Sequence, residues 1–396
     1  MNVLVFTTLF PNNVWPSHGV FIKERTRQVA GRDGVTVRVV APVPYFPPIR
    51  LSWRHRFAEV ARQEEIEGLP VHHPRFLMMP KVGMATYGWT LFLSVLPFLS
   101  RLARQHPFDL IDAHYLFPDA FAAVELGRAL GKPVIVSARG SDVNLFAQFP
   151  LVRRCLLRTL RRADRVVAVS GALRARLAAL GVAAERVTVI PNGVDGTKFR
   201  PMSRAEARAK LGLDGGPYLL AVGHLVALKG FDLVIESLAR LRAGGNCPDL
   251  RLLVVGEGGE RAPLEALARR LGVGGAVRFA GPLSHPELRT WYNAADVFCL
   301  ASSREGWPNV VLEALACGTP VVATRVGGIP EIVTSDSVGL LAERSPEALA
   351  GAIEEALRRT WDREVLVRHA RGHGWEQTAS RVLEEFRLAL GGQRRS

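Results

Sequence analysis

The stretch SSREGWPNVVLEALACGTPVVATRVGGIPEIV, Ser302 to Val333, decides the fold. The residues before it, ADVFCLASS, form an apolar run that reads as a buried strand ending at a turn near Gly306. Pro308 suits a first helical turn, where its missing N–H costs nothing. A helix is therefore predicted to begin near Trp307–Asn309 and to run to Cys317, with Gly318 as its cap. PVVATRVGG then supplies a second apolar strand. Apolar strands joined by amphipathic helices belong to parallel sheets covered on both faces.

Outward from this unit the same alternation fills the chain. NVLVFTT, VTVRVVAP, FDLIDAH, PVIVSA, DRVVAVS and RVTVIPNG read as strands of the first half, with helical patterns between them. Glycine, proline and polar residues cluster from Pro191 to Gly216 and mark a break. PYLLAVG restarts the pattern, which continues through DLRLLVVGEG and VRFAG. The expectation is an α/β chain of two doubly wound domains in series, residues 1–192 and 193–376. Ligands of such sheets bind at the carboxyl ends of strands, so a cleft faced by both domains is the expected site.

Composition narrows the class. Of 396 residues 48% are hydrophobic, enough for large cores and against disorder. The four cysteines, Cys155, Cys247, Cys299 and Cys317, are far apart and have no histidines at metal-ligand spacing. That points to a reducing compartment and no structural zinc. MNVLVFTTLFP has no basic n-region and reads as a strand, not a signal peptide. The apolar segment Tyr87–Arg104 has an uncharged run of only about a dozen residues, too short to span a bilayer. Residues 1–190 hold 25 Lys/Arg against 13 Asp/Glu, whereas the rest hold 26 against 24. A basic first half invites an anionic partner, such as nucleic acid, an anionic membrane leaflet or a phosphorylated substrate. No nucleic-acid motif of the RNP, zinc-finger or helix-turn-helix kind is present, so no nucleic-acid partner is expected.

The candidate site residues fall at strand-to-helix junctions. The helix after Pro308 would offer free N–H groups and a positive dipole end to a diphosphate. Glu313, four residues beyond Asn309, lies about one turn inside it and could accept hydrogen bonds from ribose hydroxyls. Glu305, in the loop before the helix, could reach a hydroxylated group on the far side of the phosphates. A sugar joined through a diphosphate to a nucleoside has that layout. Lys229-Gly230 follows a strand and precedes a helix, which places a point cation for the diphosphate beside a backbone that can approach closely. VVGEGGE lacks the dinucleotide G-x-G-x-x-G order and reads as a turn near the nucleotide, with Gly256 and Glu257 at its centre. In the first half Gly19 stands before a helix, His114 ends one strand, and Arg139, Gly140, Ser141 and Asp142 end another.

These residues resemble the E-x(7)-E signature of retaining glycosyltransferase family 4. VIPNGVDGTKF, VGHLVALKGFDLVIESL, LLVVGEGGERAPLEALARRLG and VRFAGPLSHPELRTWYNAADVFCLASS match that family in order. The resemblance implies a GT-B architecture of two Rossmann-like domains facing across a cleft, with a nucleotide-sugar donor held mainly by the second. It implies Glu313 on the donor ribose, Glu305 on the transferred sugar, Lys229 on the diphosphate, and the backbone of Gly306, Trp307, Pro308, Asn309 and Val310 near sugar and phosphates. It also implies a final helix, 377–396, packing back on the first domain, with a glycan or lipid-linked acceptor on that side. Transfer would be metal-independent and need no cofactor, and the chain contains no D-x-D triplet.

Two residues depart from the family pattern. His224 stands where the family often has Arg beside the diphosphate. Arg139-Gly140 stands where the family commonly has His-Gly near the reaction centre, so His114, Arg139 and Asp142 together are the candidates for that role. The expected setting is cytoplasmic, in cell-surface polysaccharide synthesis, with docking of the Leu91–Arg104 segment on the anionic inner membrane face. A nucleotide-sugar epimerase on the same architecture is the alternative. The sugar and acceptor are expected to depend on loops 11–19, 42–55 and 70–90.

Overall fold

A computed structural model of the chain describes residues 1–46, 53–78, 83–245 and 247–392. Residues 47–52 and 79–82 of the expected specificity loops, and 393–396 of the expected final helix, lie outside the described residues. The chain divides into two compact units, one of Met1–Asn192 with the segment from Trp375, the other of Gly193–Gly374.

The first unit contains β1 (Asn2–Phe6), β2 (Thr36–Val40), β3 (Val43–Pro44), β4 (Gln63–Ile66), β5 (Leu69–His72), β6 (Arg75–Phe76), β7 (Leu110–His114), β8 (Val134–Ala138), β9 (Arg165–Ala168) and β10 (Val187–Val189). Eight of these form one sheet, in the order β10-β9-β8-β7-β1-β2-β5-β4, and β3 pairs with β6 apart from it. Every pair in the large sheet is parallel except the β4–β5 hairpin. Val3, Val5, Val39, Leu110 and Ile135 from the strands meet Ile22 and Val29 of the helix Val20–Val29. Val382, Leu383 and Phe386 of the last helix, Trp375–Gly392, close the same core. Arg165 Nε donates to Glu385 Oε2 at 2.6 Å and fastens that helix to β9.

The second unit contains β11 (Tyr218–Val222), β12 (Arg251–Val255), β13 (Val277–Gly281), β14 (Val297–Leu300), β15 (Val321–Thr324) and β16 (Gly339–Ala342). They form a fully parallel sheet ordered β13-β12-β11-β14-β15-β16. Alternate strand residues such as Leu219, Leu252 and Val297 pack under Val234, Ile235 and Leu238 of the helix Phe231–Ala243 and Leu349 and Ile353 of Pro346–Arg358. Both units are thus Rossmann-like, and both change direction at an internal strand.

The helix expected after Pro308 runs Asn309–Ala316, and Gly318 takes the left-handed conformation (φ 76°) that ends it. One reading is corrected. The break from Pro191 to Gly216 contains a helix, Arg204–Leu211, because RAEARAKL is made of strong helix formers; Gly212 ends it at φ 62°. The apolar segment expected to dock on a membrane is the helix Tyr87–Gln105; its i, i+4 stripe of Leu91, Val95 and Leu99 is fully buried in the unit, whereas Trp89 and Leu93 on its other side are exposed. No helix among the described residues is long and apolar enough to cross a membrane.

Candidate active site

In the second unit the sheet reverses between β11 and β14: chain order proceeds outward to β12 on one side and to β15 on the other. Ligands of open α/β sheets bind at such a switch point, beyond the carboxyl ends of its strands. The loops leaving β11 and β14 carry Lys229 and Glu305. Ser303 N donates to Leu228 O at 2.8 Å and stitches the two loops together. Gly230 (φ 68°) lies so close that a Cβ would stand 2.2 Å from Ala301 O, and one on Gly327 (φ 53°) would stand 1.9 Å from Glu305 O. Only glycine allows both approaches.

This packing brings Lys229 Nζ to 2.6 Å from Glu305 Oε1, and Ser302 Oγ donates to the same oxygen at 2.7 Å. The lysine side chain is 21% exposed and the glutamate 10%. The following helix, Asn309–Ala316, has Pro308 as its N-cap residue, which makes no side-chain cap hydrogen bond, and its positive dipole end lies beside this pair. Trp307, just before it, is buried, and its indole N–H has no acceptor among the described residues. Glu313 is buried one turn in and accepts from Tyr292 Oη at 2.9 Å. Burial and the Glu313 carboxylate push the Tyr292 phenol well above its ordinary value, so it stays the donor.

His224 is exposed, with Nδ1 3.3 Å from Glu257 O, and Leu225 N donates to that same carbonyl at 2.8 Å. Gly256 (φ 136°) approaches Gly223 so closely that a Cβ would stand 1.9 Å from Gly223 O. The loops after β11 and β12 thus nest, with His224 and Glu257 at their rim. Lys229, Glu305, Glu313 and the helix start therefore sit on neighbouring loops and helix of one sheet edge.

In the first unit the switch lies between β1 and β7. Gly19 (φ 66°) starts the helix Val20–Val29 and folds the β1 loop back, a Cβ there standing 2.2 Å from Leu9 O. His114 ends β7, and Arg139 follows β8. Arg139 donates from Nη1 to Asn192 Oδ1 at 2.8 Å and from Nη2 to His114 Nδ1 at 2.7 Å. Since a guanidinium only donates, His114 Nδ1 must accept, which puts the ring proton on Nε2. Nε2 faces Asp112 Oδ2 at 3.4 Å, and Asp112 in turn faces Arg25 Nη2 at 3.4 Å. Burial, reinforced by Arg139, lowers His114 to about 3 and keeps it neutral. Burial works to raise Asp112, but Arg25 and His114 outweigh it and hold the carboxyl below its usual range.

Asp142 makes no side-chain ion pair with Arg139. Its carboxylate accepts from the backbone N–H groups of Leu116, Arg139, Gly140 and Val143. It fixes the turn that carries Arg139 and ties it to the β7 loop, where Tyr115 holds φ 77°. A second buried carboxylate, Asp119, accepts from Thr8 N at 2.5 Å and from the hydroxyls of Thr7 and Thr8.

Burial raises Asp119 from 3.8 to about 7 against the opposing hydrogen bonds of Thr8 and Thr7. A raised carboxyl stabilises the fold fully below its unfolded value, and that share is lost as pH climbs through the folded one. Asp119→Asn cannot titrate. The difference in melting temperature, variant minus parent, should therefore rise between about pH 4 and pH 7. A difference flat across that range would show that Asp119 is already ionised.

Sequence reading did not single out Tyr292, Arg25, Asp112, Asn192 or Asp119. Asp112 stands two residues before His114 on one strand, hence on the same face, and that spacing was the available signal. Nothing local in the sequence marks Tyr292, which reaches Glu313 only through the packing of helix His285–Ala294.

Residues 32–198 match the family described as Glycosyltransferase Family 4, and residues 203–373 that described as Glycosyl transferases group 1. A D-inositol 3-phosphate glycosyltransferase of Catenulispora acidiphila is 31% identical, over 95% of this chain and 91% of its own. The putative teichuronic acid biosynthesis glycosyltransferase TuaC of Bacillus subtilis is 28% identical, over 89% and 88%. Among solved structures, the sucrose-phosphate synthase of Thermosynechococcus elongatus superposes with a TM-score of 0.77 at 22% identity, covering 99% of each chain. Anabaena HepE in complex with UDP and glucose superposes at 0.74 and 20%, covering 97% and 98%. With sequence kinship along nearly its whole length and the fold of those enzymes in both units, this chain belongs to the family 4 glycosyltransferases of GT-B fold, which transfer glycosyl groups from nucleotide-sugars.

Proposed function

We propose that the second unit holds a nucleoside-diphosphate sugar at the β11–β14 switch point and that the sugar passes, with its anomeric configuration retained, to a glycan or lipid-linked acceptor on the first unit. The observation that carries this reading is the convergence of Lys229, Glu305, Glu313 and the start of the helix Asn309–Ala316 on one sheet edge. Glu313, steadied by Tyr292, accepts from the ribose hydroxyls. Lys229 and the amides at Asn309 and Val310 meet the diphosphate, and the Trp307 indole N–H gives a further donor beside them. Glu305 and the Gly306–Pro308 backbone contact the sugar. His224, Gly256 and Glu257 border the nucleotide, and His224 puts an imidazole ring where the family often has a fixed cation. The first unit supplies the Gly19 loop and a floor built by Arg139, His114 and Asp142. In that floor His114 positions Arg139, because both its ring nitrogens face protein groups.

The leaving diphosphate gains negative charge as the anomeric C–O bond breaks, and donors fixed in advance lower that barrier. Each is worth on the order of 3 kcal/mol, roughly a hundredfold in rate. Incubation with a panel of nucleotide-sugars, followed by NMR of the freed sugar, tests the reading. The expected product of slow hydrolysis keeps the donor's anomeric configuration; an inverted sugar, or an epimerised nucleotide-sugar, would overturn it. The epimerase reading has no support from the relatives, which are named as transferases.

We also propose that the acceptor is presented at the anionic inner face of the cytoplasmic membrane, in cell-surface polysaccharide synthesis. The favoured contact is not the buried Leu91–Leu99 stripe but the start of the helix Pro150–Arg162, where Phe149 and Leu151 are 42% and 60% exposed. Beside them Arg153, Arg154 and Arg176 line a cavity of about 600 Å³. Apolar tips among arginines suit an anionic lipid surface. Vesicles rich in anionic lipid should float the protein and release it in high salt; failure to float at low salt would remove this part.

A further inference from the structure

Lys229, the cation assigned to the donor's diphosphate, already has an anion. Its ammonium lies 2.6 Å from Glu305 Oε1 in the structure, and the same glutamate is assigned to the transferred sugar. The pair is a built feature. The two loops are joined by Ser303 N to Leu228 O, and the glycine approaches at Gly230 and Gly327 hold them together. Ser302 Oγ steadies the shared oxygen, while Ser302 is itself fixed because Thr324 Oγ1 donates to its carbonyl at 2.6 Å. A partly buried ion pair is worth more than a surface one, and a ligand that needs one partner must first displace the other.

We propose that Glu305 is the resident counter-ion of Lys229: the donor's diphosphate displaces it, and it recaptures the lysine when the nucleoside diphosphate leaves. On entry the ammonium passes from carboxylate to diphosphate, and the freed carboxylate turns to accept hydrogen bonds from the sugar hydroxyls. A nucleotide-sugar therefore replaces both halves of the pair. A nucleoside diphosphate replaces only one and leaves the Glu305 carboxylate, 10% exposed, beside a terminal phosphate more highly charged than the donor's. The pair thus discriminates substrate from product, and it weakens product inhibition at the same site. This inference rests on the donor reading above.

The two ligand classes should respond with opposite sign. Titration calorimetry would use the tightest binder among UDP, GDP, ADP and dTDP, and the matching nucleotide-sugar. Glu305→Gln is expected to bind the diphosphate about tenfold more tightly. It should bind the nucleotide-sugar no better than the parent, or more weakly, because an amide accepts sugar hydroxyls less well than a carboxylate. In a Lys229→Met background the same substitution should gain about threefold or less, since no ammonium remains to be freed and only relief of the carboxylate's repulsion is left. Ser302→Ala should move the diphosphate in the same direction by less, and its milder change guards against a folding defect in the first variant. Unchanged or weaker diphosphate binding in Glu305→Gln, with Lys229→Met still losing it, would overturn the exchange alone. A tenfold gain that persists without Lys229 would also overturn it, leaving plain repulsion. If Lys229→Met binds every diphosphate as the parent does, or the parent binds none, the donor reading fails and the exchange with it.

Discussion

Lys229→Met is expected to lose about a hundredfold in kcat/KM, a barrier increase on the order of 3 kcal/mol. Methionine keeps the apolar stem and removes the charge. The loss should appear in kcat as well as in KM, because the diphosphate carries more negative charge in the transition state than in the bound donor. Two effects add. One is the missing ammonium. The other is the Glu305 carboxylate, whose side chain is 10% exposed, left without its cation and facing an anionic ligand. Turnover within about threefold of the parent would place the diphosphate away from the β11–β14 switch point.

Asp142→Ala is expected to lower stability rather than to remove a reacting group. Its carboxylate satisfies backbone N–H groups of Leu116, Arg139, Gly140 and Val143, all around a buried turn. Each buried N–H left without a partner costs about 1–3 kcal/mol. Removing the carboxylate also recovers part of its own burial cost, which already raises its pKa, so the net loss belongs near the low end, about 4 kcal/mol in all. For a unit of this size that is a fall of roughly 10 °C in melting temperature, read by calorimetry. Asp142→Asn keeps one carbonyl oxygen and should lose less than half as much. A variant that melts like the parent but fails to turn over would move Asp142 from the scaffold to the chemistry.

Much of this was legible because parallel strands buried on both faces announce themselves. Apolar runs such as LLAV at Leu219–Val222 and VFCL at Val297–Leu300 have one plausible structure, and each precedes a helical pattern. The helix after Pro308 was readable from one proline and one glycine. What escaped was written in weaker signs. The hairpin β4–β5 has only four residues a side, QEEI with a single apolar residue and LPVH, too short for periodicity to speak. The helix Arg204–Leu211 was hidden by flanking glycines. The apolar content of Tyr87–Gln105 was legible, but not whether its stripe faced core or membrane, since both would take the same residues.

The candidate site was legible as positions, not as partners. Lys229 and Glu305 are 76 residues apart, and no local pattern says that the cation and the acid meet. His114, Arg139 and Asp142 could be picked out at strand ends. Their division of labour could not, because it depends on which atoms face which: a guanidinium on Nδ1, a carboxylate near Nε2, and backbone amides around Asp142.

The most direct test of the central claim, that the second unit grips a nucleotide-sugar by ribose and diphosphate at its switch point, is donor binding to Glu313→Ala measured by titration calorimetry. The expected result is an affinity loss of about tenfold to a hundredfold, one or two lost hydrogen bonds to a charged acceptor, with the melting temperature of the free protein monitored as a control. Donor affinity equal to that of the parent in a folded Glu313→Ala protein would contradict the claim.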